Sequence, residues 1–193
     1  FIPHSQQYFS TIFHRNTIKM VSFTNILFAA GTAAALAIQE RDVTTVLNNL
    51  KKIDTATKKL TTDTKAWTGS ASGAITIQND ESAVDKAVNS ATTEAKTEPQ
   101  ANSADSKTII TYVTGTFTPD IKAALNAVVA KKTQFAAVGL TSTVKSDLTT
   151  LKSDADKLGA ALKAVASSDQ KTPAQNAINA IDSLFVSAIS VFS

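Results

Sequence analysis

Cysteine is absent from the 193-residue sequence, and histidine occurs only at His4 and His14. Without thiols there is no disulfide to staple the fold and no thiolate nucleophile. Aromatic residues make up only 6% of the chain, with a single tryptophan, Trp67. A core built from this sequence therefore consists mainly of Ala, Val, Leu and Ile. Proline (four) and glycine (six) are also few, so long stretches run without a helix breaker. Charge of one sign is lacking as well: 19 basic residues face 16 acidic ones, and the two are interleaved, which leaves no nucleic-acid footprint.

The N-terminal part carries a processing pattern. Met20 opens MVSFTNILFAAGTAAALA, whose apolar run from Ile26 to Ala37 ends in Ala35-Leu36-Ala37, an A-x-A cleavage pattern. The run is shorter than the roughly 20 residues that span a bilayer. Residues 20–37 are expected to be a secretory signal peptide, residues 1–19 a leader or gene-model extension outside the fold, and residues 38–193 a helical-bundle domain. Cleavage after Ala37 removes both histidines. Loss of Arg15 and Lys19 leaves 17 basic residues against the same 16 acidic ones. The expected product is extracellular, with no transmembrane segment and no N-x-Ser/Thr glycosylation site.

Helical periodicity dominates the remainder. Val43, Val46, Leu47, Leu50, Ile53, Leu60 and Trp67 form one stripe over about 42–67, with Asp42 as the expected N-cap. The run Thr68 to Gly73 breaks it. A weaker, alanine-rich stripe (Ile77, Val84, Ala87, Val88, Ala91, Ala95) predicts a second helix over 75–96. In the third region Ile109, Ile110, Val113 and Phe117 precede a restart at Thr118-Pro119, with Thr118 as the expected cap and Pro119 in the first turn. Gly139 is placed to end that helix in a left-handed cap. Val144, Leu148, Leu151, Ala155, Leu158, Leu162 and Val165 alternate steps of four and three, a heptad-like stripe capped by Thr141 or Ser142. Thr172-Pro173 is expected to start the last helix, whose apolar face includes Ala177, Ile181, Leu184, Phe185 and Phe192. The expected fold is all-α: an antiparallel bundle of five or six amphipathic helices, the third broken near Thr118-Pro119.

Chemistry has little to work with. A serine nucleophile lacks its usual histidine base after cleavage, and no spacing singles out a Ser–Lys pair. Asp154 and Asp156, two apart, point to different helix faces, and no EF-hand or Glu-x-x-His pattern exists. No catalytic residue, metal site or cofactor is expected. The lysine pairs 51/52, 58/59 and 131/132 are diluted by Asp and Thr and read as solvated helix faces rather than a membrane-binding surface.

What remains is the apolar interior. Wide faces of small aliphatic side chains can leave a tunnel suited to an alkyl chain. Burying each methylene gains about 0.8 kcal/mol, so sixteen carbons offer on the order of 10 kcal/mol before ordering costs. The candidate apolar contacts are Trp67, Phe117, Leu125, Phe135, Leu148 and Phe185. Phe117 and Phe135, which flank the proline break, are the favoured pocket walls. The expected partner is an apolar surface or a fatty-acid-type lipid. The alternative is an effector-like or cell-wall protein whose partner is another protein.

The order of motifs resembles a known family. Arg41-Asp42-Val43 to Ile53-Asp54, then Trp67-Thr68-Gly69, then TPDIKAALNAVVAKKTQF, then the Val144 to Leu151 helix, are similar to the hydrophobic surface binding protein A family of filamentous fungi, also described as cell-wall galactomannoproteins. The resemblance implies a secreted or wall-associated helical protein that adsorbs to hydrophobic surfaces, helps recruit polyester-degrading hydrolases, or captures fatty acids in a central cavity. It transfers no particular ligand residue. The sequence carries no Ser/Thr-rich stalk or terminal hydrophobic tail, which favours a soluble secreted form over covalent wall attachment, any cell-wall association being expected without a GPI anchor.

Overall fold

A computed structural model describes residues 42–193; the expected leader, the expected signal peptide and the Asp42 side chain lie outside the described residues. The elements are α1 (Asp42–Ala66), α2 (Ala71–Ala95), α3 (Ser103–Tyr112), a π-helical turn (Val113–Phe117), α4 (Thr118–Ala130), the short α5 (Lys132–Ala137), α6 (Thr141–Val165), a 3-10 turn (Ser168–Gln170) and α7 (Lys171–Val191). No strand occurs among the described residues. Threonine, a poor helix former, is tolerated because its hydroxyl turns back onto the carbonyl four residues earlier. Thr55, Thr61, Thr92, Thr108 and Thr149 all do so at 2.7–2.9 Å.

Several helix ends differ from expectation. α2 begins four residues before Ile75, because Ser70 caps it: the Ser70 side chain accepts from the Gly73 amide at 3.2 Å. The Trp67 indole N–H donates to the Ser70 carbonyl at 2.8 Å, which draws the connection tight. Thr118 does not cap α4. Its backbone is α-helical, its buried hydroxyl has no partner, and the expected break is a π-helical turn instead. The amide of Thr118 reaches back to the Val113 carbonyl. Pro119 has no N–H and its ring crowds the preceding turn, so widening that turn lets the helix continue. Thr141, Ser142 and Thr172 make no cap bond either; α6 and α7 start without side-chain caps. Gly139 does close α5 with φ +75°. The Gly139 amide donates to Ala136 and the Leu140 amide to Phe135, the paired bonds of a Schellman motif.

The long helices form a closed ring. α1 packs against α2 and α4, α2 against α6, α6 against α7, and α7 against α4. Successive long helices run up and down, as expected. Five is odd, however, and a ring of five cannot alternate throughout. Asn49–Glu94 and Lys59–Asp80 contacts show α1 and α2 antiparallel, while Lys58–Asp120 and Lys131–Trp67 contacts show α1 and α4 parallel. Polar pairs stitch the seams. Lys58 joins Asp54 to Asp120, and Lys59 joins Asp63 to Asp80. Asn89 meets Asp154 between α2 and α6, and Lys152 joins Asp156 to Asp182 between α6 and α7. Hydrogen bonds donated to their carboxylate partners raise the pKa of Lys58, Lys59 and Lys152. Among the described residues no salt bridge joins α4 to α7.

At the α1–α2 corner, a Cβ on Gly73 would lie 2.3 Å from Trp67 Cδ1 and 2.8 Å from Nε1. Gly73→Ala is therefore expected to destabilise the fold by about 1–3 kcal/mol through overpacking, read as a lower urea midpoint with an unchanged m-value. Gly115→Ala, at a position with open space around the added methyl, is the control and should not lower the midpoint.

Candidate functional site: an apolar cavity inside the ring

A cavity of about 410 Å³ lies along the ring axis. This is within the roughly 300–1,000 Å³ span of ligand pockets. All five long segments contribute to its wall, represented by Ile53 of α1, Val84 of α2, Val128 of α4, Leu151 of α6 and Ile181 of α7. The π-helical turn supplies Val113 and Phe117, both buried, so the proline-linked irregularity shapes the wall directly. Ile75 also lines the cavity while being 60% exposed, which marks where the cavity reaches the surface, between the first turns of α2 and α6.

Of the six residues expected as apolar contacts, Phe117, Leu125, Phe135, Leu148 and Phe185 line the cavity. Trp67 does not. It is 4% exposed and stacks behind Phe135, with ring centroids 4.6 Å apart at 41°. Phe192 meets Phe135 edge-on, with ring centroids 6.3 Å apart. Phe135 is thus held by two aromatic neighbours and closes one end as a fixed wall. At the other end the α2–α3 connection is tied to the α6–α7 connection. The Ala101 amide donates to the Val165 carbonyl at 2.7 Å, the Ser167 amide to Ser106 Oγ at 2.9 Å, and Ser103 to Asp169 at 2.5 Å. Side-chain hydrogen bonds from Gln170 and then Ser103 hold the Asp169 carboxyl well below the usual range.

The polar wall residues were missed by periodicity alone. Thr57 is 4% exposed, lines the cavity, and fills the gap between Ile53 and Leu60 in the α1 stripe. Glu81 fills the equivalent gap between Ile77 and Val84 in α2. A polar residue at a core register position is a sequence signal in its own right. Asp147 of α6 joins Glu81 in the wall, and neither makes a salt bridge to any described residue. Burial pushes the Glu81 carboxyl up to about 7, helped by Asp147 and then Asp85. Burial also raises Asp147. Among the described residues no group of three or more His, Cys, Asp or Glu could hold a metal ion.

A carboxyl whose pKa is higher folded than unfolded binds more protons in the native state, so native stability falls as pH rises. For Glu81 the loss spans the range from the ordinary carboxyl value of 4.5 to about 7. Glu81→Gln removes it. The variant should match the parent near pH 4 and exceed it by about 1–2 kcal/mol at pH 8, a figure discounted for partial exposure. Urea titrations at both pH values check this; equal midpoints at pH 8 would refute it.

Comparison with known proteins places the cavity in context. The family described as "Hydrophobic surface binding protein A" matches residues 43–164. Among solved structures, Afmp4p in complex with palmitic acid is 36% identical, with TM-score 0.76 over 79% of this chain and all of that one. Ligand-binding domain 1 of the Penicillium marneffei MP1 protein, complexed with arachidonic acids, has TM-score 0.72 at 20% identity, covering 76% of this chain and 95% of that chain. Domain 2 of the same protein, complexed with multiple arachidonic acids, has TM-score 0.73 at 18% identity, over 79% and 96%. At such identities the two MP1 domains speak to the fold alone. No curated protein matches the sequence. With the family profile covering most of α1 through α6, the chain belongs to the hydrophobic surface binding protein A family.

Proposed function

We propose that this protein binds fatty-acid-type lipids inside its helical ring and acts without catalysis. The observation that carries this is the axial cavity of about 410 Å³, walled almost wholly by aliphatic and aromatic side chains from every long segment. An alkyl chain needs no directional chemistry, only displaced water and close contacts along its length. The complex of the 36%-identical Afmp4p with palmitic acid supports the ligand class. The signal-peptide pattern at residues 20–37 supports action outside the cell, in free or wall-associated form.

A second reading, adsorption to a hydrophobic surface, is favoured by one structural observation. The α4–α7 seam has no salt bridge among the described residues. Opening there would turn the cavity wall outward onto an apolar polymer at small electrostatic cost. Recruitment of a secreted polyester hydrolase would follow adsorption, and co-adsorption of such an enzyme on polyester film tests it.

Delipidated protein offered palmitic acid at micromolar concentration should retain it in native mass spectrometry. Ala177→Phe, which adds a ring at a buried wall position, should weaken capture at least tenfold while far-ultraviolet circular dichroism stays helical. Absence of any bound acid in the parent protein would overturn cavity binding. Helicity kept with near-ultraviolet dichroism lost on hydrophobic beads would establish opening instead.

A further inference from the structure

The polar groups inside the cavity say what kind of head a bound lipid carries. Thr57 is 4% exposed in the wall, and its hydroxyl makes no hydrogen bond to any described residue. The hydroxyl is not sealed from solvent, so the cavity itself is where it meets a partner. The charged groups in the wall are Glu81 from α2 and Asp147, Asp156 and Lys163 from α6. α1, the α3–α4 segment, α5 and α7 place none there. Asp156 is held by Lys152 at 3.0 Å, and Lys163, the single cation among the described wall residues, donates to the neutral Gln175 Oε1 at 2.6 Å. Among the described residues Glu81 and Asp147 have no salt-bridge partner. Beside them Asp85 adds further negative charge, and Lys157 is engaged by Asp154. On α1, Lys59 is engaged by Asp63 and Asp80.

An anionic head beside Glu81 and Asp147 gives up its hydration with no cation near it, since Lys163 stands 16 residues along α6 from Asp147, about 24 Å at a rise of about 1.5 Å per residue. It finds instead two carboxyls at the side where the cavity reaches the surface near Ile75. A neutral head that both donates and accepts has a ready partner in Thr57. Resting on the lipid-binding reading above, we propose that the cavity selects acyl ligands with an uncharged hydrogen-bonding head, a protonated fatty acid or a long-chain alcohol. Thr57 is the polar anchor, and Glu81 and Asp147 are the screen against anions. The raised proton affinity of Glu81 sets the sense of the pH dependence. Below about 7 the screen is weakened by protonation and can itself donate. Above it, both carboxyls repel an anion.

Three sixteen-carbon probes separate the terms, measured by isothermal titration on delipidated protein at pH 5.5 and 8.5. Hexadecanol is neutral at both, and hexadecanesulfonate is anionic at both, so ligand titration does not intrude; hexadecane has no head. Hexadecanol should bind equally within about twofold at the two pH values. Hexadecanesulfonate should bind at least tenfold more weakly than hexadecanol at pH 8.5, and the gap should narrow at pH 5.5. Glu81→Gln with Asp147→Asn should close most of the gap at pH 8.5. Thr57→Val, which keeps the shape, should weaken hexadecanol about fivefold or more and leave hexadecane unchanged. Sulfonate binding as tight as alcohol binding at pH 8.5, or a gap untouched by the double substitution, overturns the screen. An unchanged hexadecanol affinity in Thr57→Val overturns the anchor. Binding of none of the three probes at either pH overturns the lipid reading itself, and is distinct from both.

Discussion

Closing five helices into one ring fixes an axis that small side chains cannot fill. With neighbouring axes about 9 Å apart, the centre of a five-membered ring is about 7.7 Å from every axis, against about 6.4 Å in a ring of four. Large side chains could bridge the difference, but the sequence supplies few: aromatic residues are 6% of the chain. Wall positions such as Ala124, Ala155 and Ala177 are alanine. Natural interiors are close-packed, so an unfilled axis costs dispersion contacts along its whole length. A ligand of alkyl character restores them. The same compositional scarcity that makes the chain look plain is therefore what makes it a container.

The ring must hold its diameter against that deficit, and the seams do this. Each bridging lysine serves two carboxylates, one on its own helix and one on a neighbour. Asp54 and Asp80 are buried while the Lys58 and Lys59 heads remain near water, so in those pairs the desolvation cost falls mainly on one partner. Single exposed pairs contribute little, but an intrahelical pair pre-positions the ammonium for the inter-helix contact and lowers the side-chain entropy lost there. Collapse of the axis would pull these pairs out of register.

Much of this was legible beforehand. Helix number, the α1, α6 and α7 faces and the left-handed close at Gly139 follow from periodicity and backbone sterics, which act within a few residues. Five of the six expected contacts line the cavity for the same reason: an apolar stripe has to face the axis. Trp67 departed from this because its indole N–H needed a partner and found it in the Ser70 carbonyl, which turned the ring into the corner against Gly73. The expected Thr118 cap failed because capping assumes a chain that enters from an extended conformation. Here the preceding helix never stops, and a π-helical turn absorbs the proline. Ring closure itself was out of reach of local pattern. Nothing in the α2 or α6 stripe states that these two helices, 46 residues apart at their connected ends, run parallel and side by side.

The polar positions at core register carry the last step. Thr57, Thr64 and Glu81 interrupt stripes that are otherwise apolar, and they are not equivalent. Thr64 is fully buried with an unpaired hydroxyl and does not line the cavity, so its cost falls on stability with no ligand to offset it. Thr57 and Glu81 line the cavity, where a ligand head can complete what the protein leaves unpaired. A plain container would do better with valine and leucine at both places. Their presence in the wall makes sense if the occupant has two ends, an alkyl chain that restores the packing of the axis and a head that the wall distinguishes by charge.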